Sequence, residues 1–215
     1  MYRILSAHQP DIFPYAGLFN KMKNSDYFDM AIFDEYSKGR YMDRVKMGRL
    51  GQEVWVNVPV HRKSSTQIKD ILLKDNWKEL FFDRIEKQYK NFKYYKERIN
   101  VVRDVLDKDH KTLADIGADS IKSIANFFEL ECEIKMLGDN LPKGTDGIIE
   151  LIKRYKDETG RDITYISGIG GKAYLDEQKI SDIGANIEYS KFETKYKCSI
   201  LTPIFELKTP QEIIV

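Results

Sequence analysis

Leu5-Ser6-Ala7-His8-Gln9-Pro10-Asp11-Ile12-Phe13-Pro14-Tyr15-Ala16-Gly17-Leu18-Phe19-Asn20-Lys21 sets a polar His-Gln pair where a short apolar strand passes into a helix. Tyr2 to Ala7 suit a strand, and Gly17 to Met22 begin a helix with Leu18, Phe19 and Met22 turned inward. His8 then stands at the carboxyl end of a strand, the edge of an open α/β sheet at which ligands bind.

The rest of the chain alternates strand-like and helix-like pieces. Tyr27 to Phe33 reads as a second strand ending at Asp34-Glu35. Tyr36 to Gln52 is polar, rich in Lys and Arg, and suits a long surface loop of functional type. Val54 to Val60 is expected to be a third strand ended by a proline, and Ile68 to Leu73 a fourth. Trp77, Phe81, Ile85 and Tyr89 recur every four residues, which makes one apolar helix stripe. Thr112 and Asp115 form a capping-box pattern ahead of a helix that buries Ile116, Ile121, Ile124, Phe127 and Phe128. Such stripes are core, and no chemistry is assigned to them.

Alternation resumes with a strand from Glu131 to Met136 and a helix capped by Thr145 or Asp146. Asp162 to Ile166 is another strand, Ser167-Gly168-Ile169-Gly170-Gly171-Lys172 a turn, Tyr174-Leu175-Asp176 a helix start, and Ala185 to Tyr189 the last strand. Nothing is assigned beyond Ser190. The expected fold is α/β, with a mainly parallel, Rossmann-like sheet and an inserted helical subdomain. Within a single domain over 1–215, residues 1–75 and 130–190 form the α/β core and 76–129 the helical insertion.

Composition excludes several classes. The 215 residues carry 35 Lys and Arg against 34 Asp and Glu, so a formal charge of +1 gives no whole-molecule attraction to nucleic acid or anionic lipid. No run is apolar enough for a signal peptide or a membrane span, so the expected compartment is the cytoplasm. Cys132 and Cys198 support neither a disulfide framework nor a zinc cluster. The oligomeric state is left open.

The chemistry-bearing candidates sit in the turns. Gly168, Gly170 and Gly171 free backbone N–H groups to converge on an anion, and Lys172 adds a full charge, so phosphate or carboxylate is the natural guest. The structural alternative is a tight turn that needs glycine for its backbone. His8 titrates near neutrality and can exchange protons or donate to a developing oxyanion, whereas His61 and His110 lie in polar, exposed-looking surroundings. No second histidine or paired carboxylate stands at ligand spacing, so no metal site is assigned. Asp34 and Glu35 can bind a hydroxylated ligand or Mg²⁺, or simply be solvated.

His8-Gln9-Pro10 followed by Phe13-Pro14, Gly17, Phe19 and Lys21 resembles the N-terminal signature of the WbqC-like family of bacterial proteins. Asp26 and Phe28, Asp34 with Tyr36-Ser37-Lys38, Arg44, Trp55 to Val60, then Trp77, Ile85 and Tyr89 resemble its successive blocks in order. Ser167-Gly168, Gly170-Gly171-Lys172, Tyr174-Leu175-Asp176 and Tyr196 resemble its C-terminal block. The chain departs from the family at Asp34-Glu35-Tyr36, which shortens an Asp-Asp-Val-Gln-Tyr run, at Asp43-Arg44 in place of Asn-Arg, and at Phe81 in place of a histidine. The layout is also distantly similar to HIGH-type nucleotidylyltransferases, although Leu18 stands where their second histidine would follow Gly17.

The resemblance implies a place in surface-polysaccharide or nucleotide-sugar biosynthesis, with a small-molecule or nucleotide-sugar substrate. The expected activity is a transferase moving an acyl, aminoacyl or nucleotidyl group; the alternative is a non-catalytic nucleotide-sugar or glycan-binding protein. In the first scheme His8 is the acid/base, Gln9, Lys21, Asp34 and Arg44 bind substrate, and Gly168, Gly170, Gly171 and Lys172 hold phosphate. A nucleotide or acyl donor and Mg²⁺ are the candidate cofactors.

Overall fold

A computed structural model describes residues 2–36, 41–61, 66–136 and 141–215. Its strands are β1 (Arg3–His8), β2 (Tyr27–Met30), β3 (Arg44–Met47), β4 (Val54–Asn57), β5 (Glu133–Met136), β6 (Ile163–Ser167) and β7 (Asn186–Tyr189). Its helices are α1 (Ala16–Lys23), α2 (Trp77–Tyr89), α3 (Tyr95–Arg98), α4 (Asn100–Leu106), α5 (Leu113–Phe127), α6 (Thr145–Thr159), α7 (Glu177–Asp182) and α8 (Leu201–Glu206).

Five strands form one parallel sheet in the order β5-β2-β1-β6-β7. The chain builds outward from β1 to one edge, crosses back, and builds outward again from β6. The order therefore reverses between β1 and β6, and the switch point of a doubly wound sheet, where strand ends part to leave a crevice, lies beyond His8 and Ser167. Side-chain alternation along the strands separates two cores. Leu5, Tyr165 and Ile163 face α6 and α7 with Leu151, Ile152, Tyr155 and Ile180. Phe28 and Met30 face the other way and join a cluster with Phe19, Met22, Ile121 and Ile124.

The stripes read from sequence form as expected. Trp77, Phe81, Ile85 and Tyr89 are the buried residues of α2. At α5, Thr112 Oγ1 accepts from the Asp115 amide and Asp115 returns the bond to the Thr112 amide, so both orphan donors are satisfied. The apolar residues of α2, α4 and α5 share one continuous cluster with the sheet's α1 face.

Several local expectations are corrected. The expected loop from Tyr36 to Gln52 contains β3, which pairs antiparallel with β4 in a separate two-stranded ribbon and buries Val45 and Met47. Alternation was obscured there because Arg44 and Lys46 pack their stems and charges over Trp55. Ser37 and Lys38 of that stretch lie outside the described residues. The expected fourth strand is a 3-10 turn at Ile68–Asp70 flanked by isolated bridges, with Ile68 and Ile71 buried beneath it. Helix α6 begins after Gly144 with no side-chain cap; Thr145 Oγ1 is used by the Asp176 amide instead. Helix α7 begins at Glu177, one residue past Asp176, which caps it. His110 is buried rather than exposed, its Nε2 3.0 Å from Asp119 and its ring edge-on to Trp77. The unassigned C-terminal stretch supplies α8, whose Ile204 and Phe205 are fully buried.

Candidate functional site

The chain from His8 to Tyr15 crosses the carboxyl edge of the sheet and is held from several sides. Gly117 on α5 lets the Pro10 carbonyl approach so closely that a Cβ there would lie 1.8 Å from its oxygen. The Phe13 amide donates to Ser120 Oγ, and Ser199 Oγ donates to the Phe13 carbonyl. These bonds hold Phe13 at φ 40°, a left-handed conformation that costs a non-glycine residue about 1–3 kcal/mol, while its ring is buried on Phe81. Gly117→Ala is expected to destabilise the fold by about 1–3 kcal/mol, the usual cost of overpacking, and to loosen this segment. Chemical denaturation together with amide exchange at Asp11 to Phe13 checks both parts.

Two cavities meet at His8. The larger, about 1060 Å³, is walled by Ala7, His8 and Gln9 from the end of β1, by Asp29, Phe33, Asp34 and Glu35, by Gln67 and Asp70, and by Lys143, Gly144, Gly147 and Tyr174. Helix α6 opens directly into this wall at Gly144, so its amino end faces the space. Gly147 is required there, because a Cβ would lie 2.0 Å from the Pro142 carbonyl oxygen. Gln9 Nε2 donates to Asp34 Oδ2 at 2.7 Å, which fixes both amide and carboxylate on the rim. Lys143 pairs with Glu35 at 3.1 Å. The smaller cavity, about 350 Å³, lies on the α1 side and is lined by His8, Asp11, Ile12, Tyr15, Leu18, Tyr41, Val45, Lys46 and Lys197 among others.

His8 lines both cavities. Its Nδ1 lies 2.9 Å from the Gln9 carbonyl oxygen, which can only accept, so Nδ1 carries the proton and Nε2 carries a lone pair. Packing of the surrounding protein, reinforced by the nearby Lys21 charge, lowers its pKa to about 4 despite the Gln9 bond, so the ring is neutral at physiological pH. Asp11 Oδ2 stands 3.9 Å from Nδ1, and burial raises that carboxyl to about 7. Asp11 belongs to the opening motif, and only its burial makes it unusual. Lys21 is buried, its Nζ donates to the Ala7 carbonyl, and burial lowers its pKa to about 8.

Of the residues selected from sequence, His8, Gln9 and Asp34 come together on the larger cavity. Lys21 is spent on the β1 backbone, and Arg44 stacks 4.2 Å over Trp55 on the β3–β4 ribbon. Gly168, Gly170, Gly171 and Lys172 follow the neighbouring strand β6 but line neither cavity. Their turn is a 3-10 helix over Ile169–Ala173 in which the Gly171 amide donates to Gly168. A Cβ on Gly171 would meet Ser167 Oγ at 2.1 Å, so that glycine meets a packing demand. Lys172 lies over the Tyr189 ring. Asp29, Gln67, Asp70, Lys143, Gly144, Gly147 and Tyr174 complete this wall without a site role in the sequence reading; for Lys143 and Gly144 the local signal is a glycine pair, Gly144 and Gly147, at the start of a helix.

Among the described residues no group of three or more His, Cys, Asp or Glu is disposed to hold a metal ion, and no helix is long and apolar enough to cross a membrane. The fold and its crevice define a doubly wound α/β protein with a ligand-sized cavity at the switch point. A family model, the WbqC-like protein family, matches residues 9–206, and the chain belongs to that family. No curated protein and no solved structure matches it.

Proposed function

We propose that this protein is a transferase of bacterial surface-polysaccharide or nucleotide-sugar biosynthesis that binds its donor in the larger cavity and moves an acyl, aminoacyl or nucleotidyl group. Membership of the WbqC-like family suggests the polysaccharide context. The observation that carries the reading is a neutral His8 at the switch point, with Nε2 unencumbered by its Nδ1–Gln9 bond.

The cavity lining offers two kinds of group. The Gln9–Asp34 pair, with Asp29 and Asp70, favours a ligand rich in hydroxyl donors, while the amino end of α6 favours an anion such as phosphate, which would draw Lys143 from its pairing with Glu35. A nucleotide sugar combines both. In this scheme His8 Nε2 accepts the proton of the attacking hydroxyl or amine as that atom bonds to the transferred group; the bond from that group to the rest of the donor breaks, its electron pair leaves with the donor fragment, and Nδ1 stays on the Gln9 carbonyl. Gly168, Gly170, Gly171 and Lys172 line neither cavity, so in this scheme the donor phosphate meets the amino end of α6.

Thermal-shift screening with nucleotides, nucleotide sugars and acyl donors tests the reading. A true ligand at about 100 times its Kd stabilises the protein by about 2.7 kcal/mol. Asp34→Ala is expected to weaken that ligand by about tenfold, the worth of a charged hydrogen bond. Silence across the panel, or an affinity indifferent to Asp34, would overturn the proposal.

A further inference from the structure

The smaller cavity also borders His8, and the donor reading does not use it. Its inner walls are apolar, since Ile12, Leu18 and Val45 are all nearly fully buried. Its mouth is aromatic: Tyr15 and Tyr41 are about half exposed, and Tyr41 lies 5.3 Å from Trp55, itself 40% exposed. Gly17 makes room for this arrangement, because a Cβ there would sit 2.4 Å from the Tyr15 ring. Two cations, Lys46 and Lys197, complete the lining. Asp11 is 92% buried by its 8% exposure, and its Oδ1 has no hydrogen-bond partner.

We propose that this cavity is a second ligand site, which takes a sugar ring bearing an anionic group, with the ring face on Tyr15 and Tyr41, a hydroxyl on Asp11 and the anion at Lys46 and Lys197. A buried carboxyl oxygen without a donor is costly, so the natural occupant brings a hydrogen-bond donor to it. That requirement disfavours an acyl chain. Walls of Ile, Leu and Val disfavour a ligand polar on every face. A pyranose has apolar C–H faces that stack on aromatic rings as well as hydroxyl donors at its edge, and the two lysines select an acidic substituent. The assignment deepens the transferase reading, since His8 would then lie between donor and acceptor, but the geometry of this cavity does not depend on it.

Calorimetric titration with glucose 6-phosphate, glucose, inorganic phosphate and hexanoate tests the assignment, with the emission of a Trp77→Phe variant, in which Trp55 is the remaining indole, as the local reporter. Glucose 6-phosphate is expected to bind saturably and perturb Trp55, and to bind at least about tenfold more tightly than glucose, phosphate or hexanoate. Tyr41→Ala and Lys197→Ala alter exposed side chains and leave the fold intact; each is expected to weaken it by about tenfold. Asp11→Asn, which keeps the shape but offers a donor, is expected to weaken it as well. No saturable binding, hexanoate binding as tightly as the sugar phosphate, or affinity indifferent to Tyr41 and Lys197 would each overturn the assignment. Failure of nucleotides to occupy the larger cavity would overturn only the donor reading.

Discussion

His8→Ala is expected to lower kcat by about 10²–10⁴ while leaving donor affinity within about threefold, because a proton acceptor contributes mainly in the transition state. The lone pair on Nε2 is the group at stake, and its readiness follows from the Nδ1 bond to the Gln9 carbonyl. With the His8 pKa lowered to about 4 by burial and by Lys21, the base form persists well below the ordinary histidine range. The acid limb of kcat/KM, which reports the free enzyme, is therefore expected below the ordinary histidine value of 6.5. Lys21→Met removes the second cause and should move that limb upward. A loss of affinity with unchanged turnover would reject the catalytic role and favour a binding protein.

Asp11→Asn is expected to stabilise the folded protein at about pH 8 by up to about 4 kcal/mol and to change little at about pH 4. The sign follows from proton binding. Burial raises the Asp11 carboxyl from 3.8 to about 7, so the folded state holds this proton more tightly than the unfolded chain. Wild-type stability from this group is greatest below pH 3.8 and is lost as pH rises to about 7. His8 acts in the opposite sense: its depressed pKa favours the fold above 6.5 and that contribution is lost as pH falls toward about 4. The histidine is present in both proteins, so the difference between them isolates Asp11. Urea unfolding across this range measures it, and a gap that does not widen from low to high pH would sink the expectation.

Particular residues show what could be read in advance. The stripe Trp77, Phe81, Ile85, Tyr89 and the Thr112–Asp115 box are local patterns with a single structural solution, and both form as expected. The ribbon strand Arg44–Met47 escaped notice because its outward Arg44 and Lys46 are ordinary surface cations by composition, and only Trp55 across the pair makes them a packed face. Tyr95–Arg98 and Asn100–Leu106 are too short to show a helical period, and tertiary packing holds them. At the site, His8, Gln9 and Asp34 were legible because each follows a strand end. Lys143 and Gly144 were not, since they reach His8 only through the crossover from β5 to β6.

Sequence by itself determined the α/β alternation, the helix faces and the polar pair at the end of β1, because periodicity and capping act over a few neighbouring residues. Tertiary structure alone decided which strand ends adjoin, that the amino end of α6 shares a cavity with His8, and that the glycine turn does not. It also decided that Asp11 loses its water. Those outcomes depend on contacts such as Gly117 on Pro10 and Ser199 on Phe13, between residues far apart in the chain, and on burial that changes the chemistry of a side chain without changing its identity.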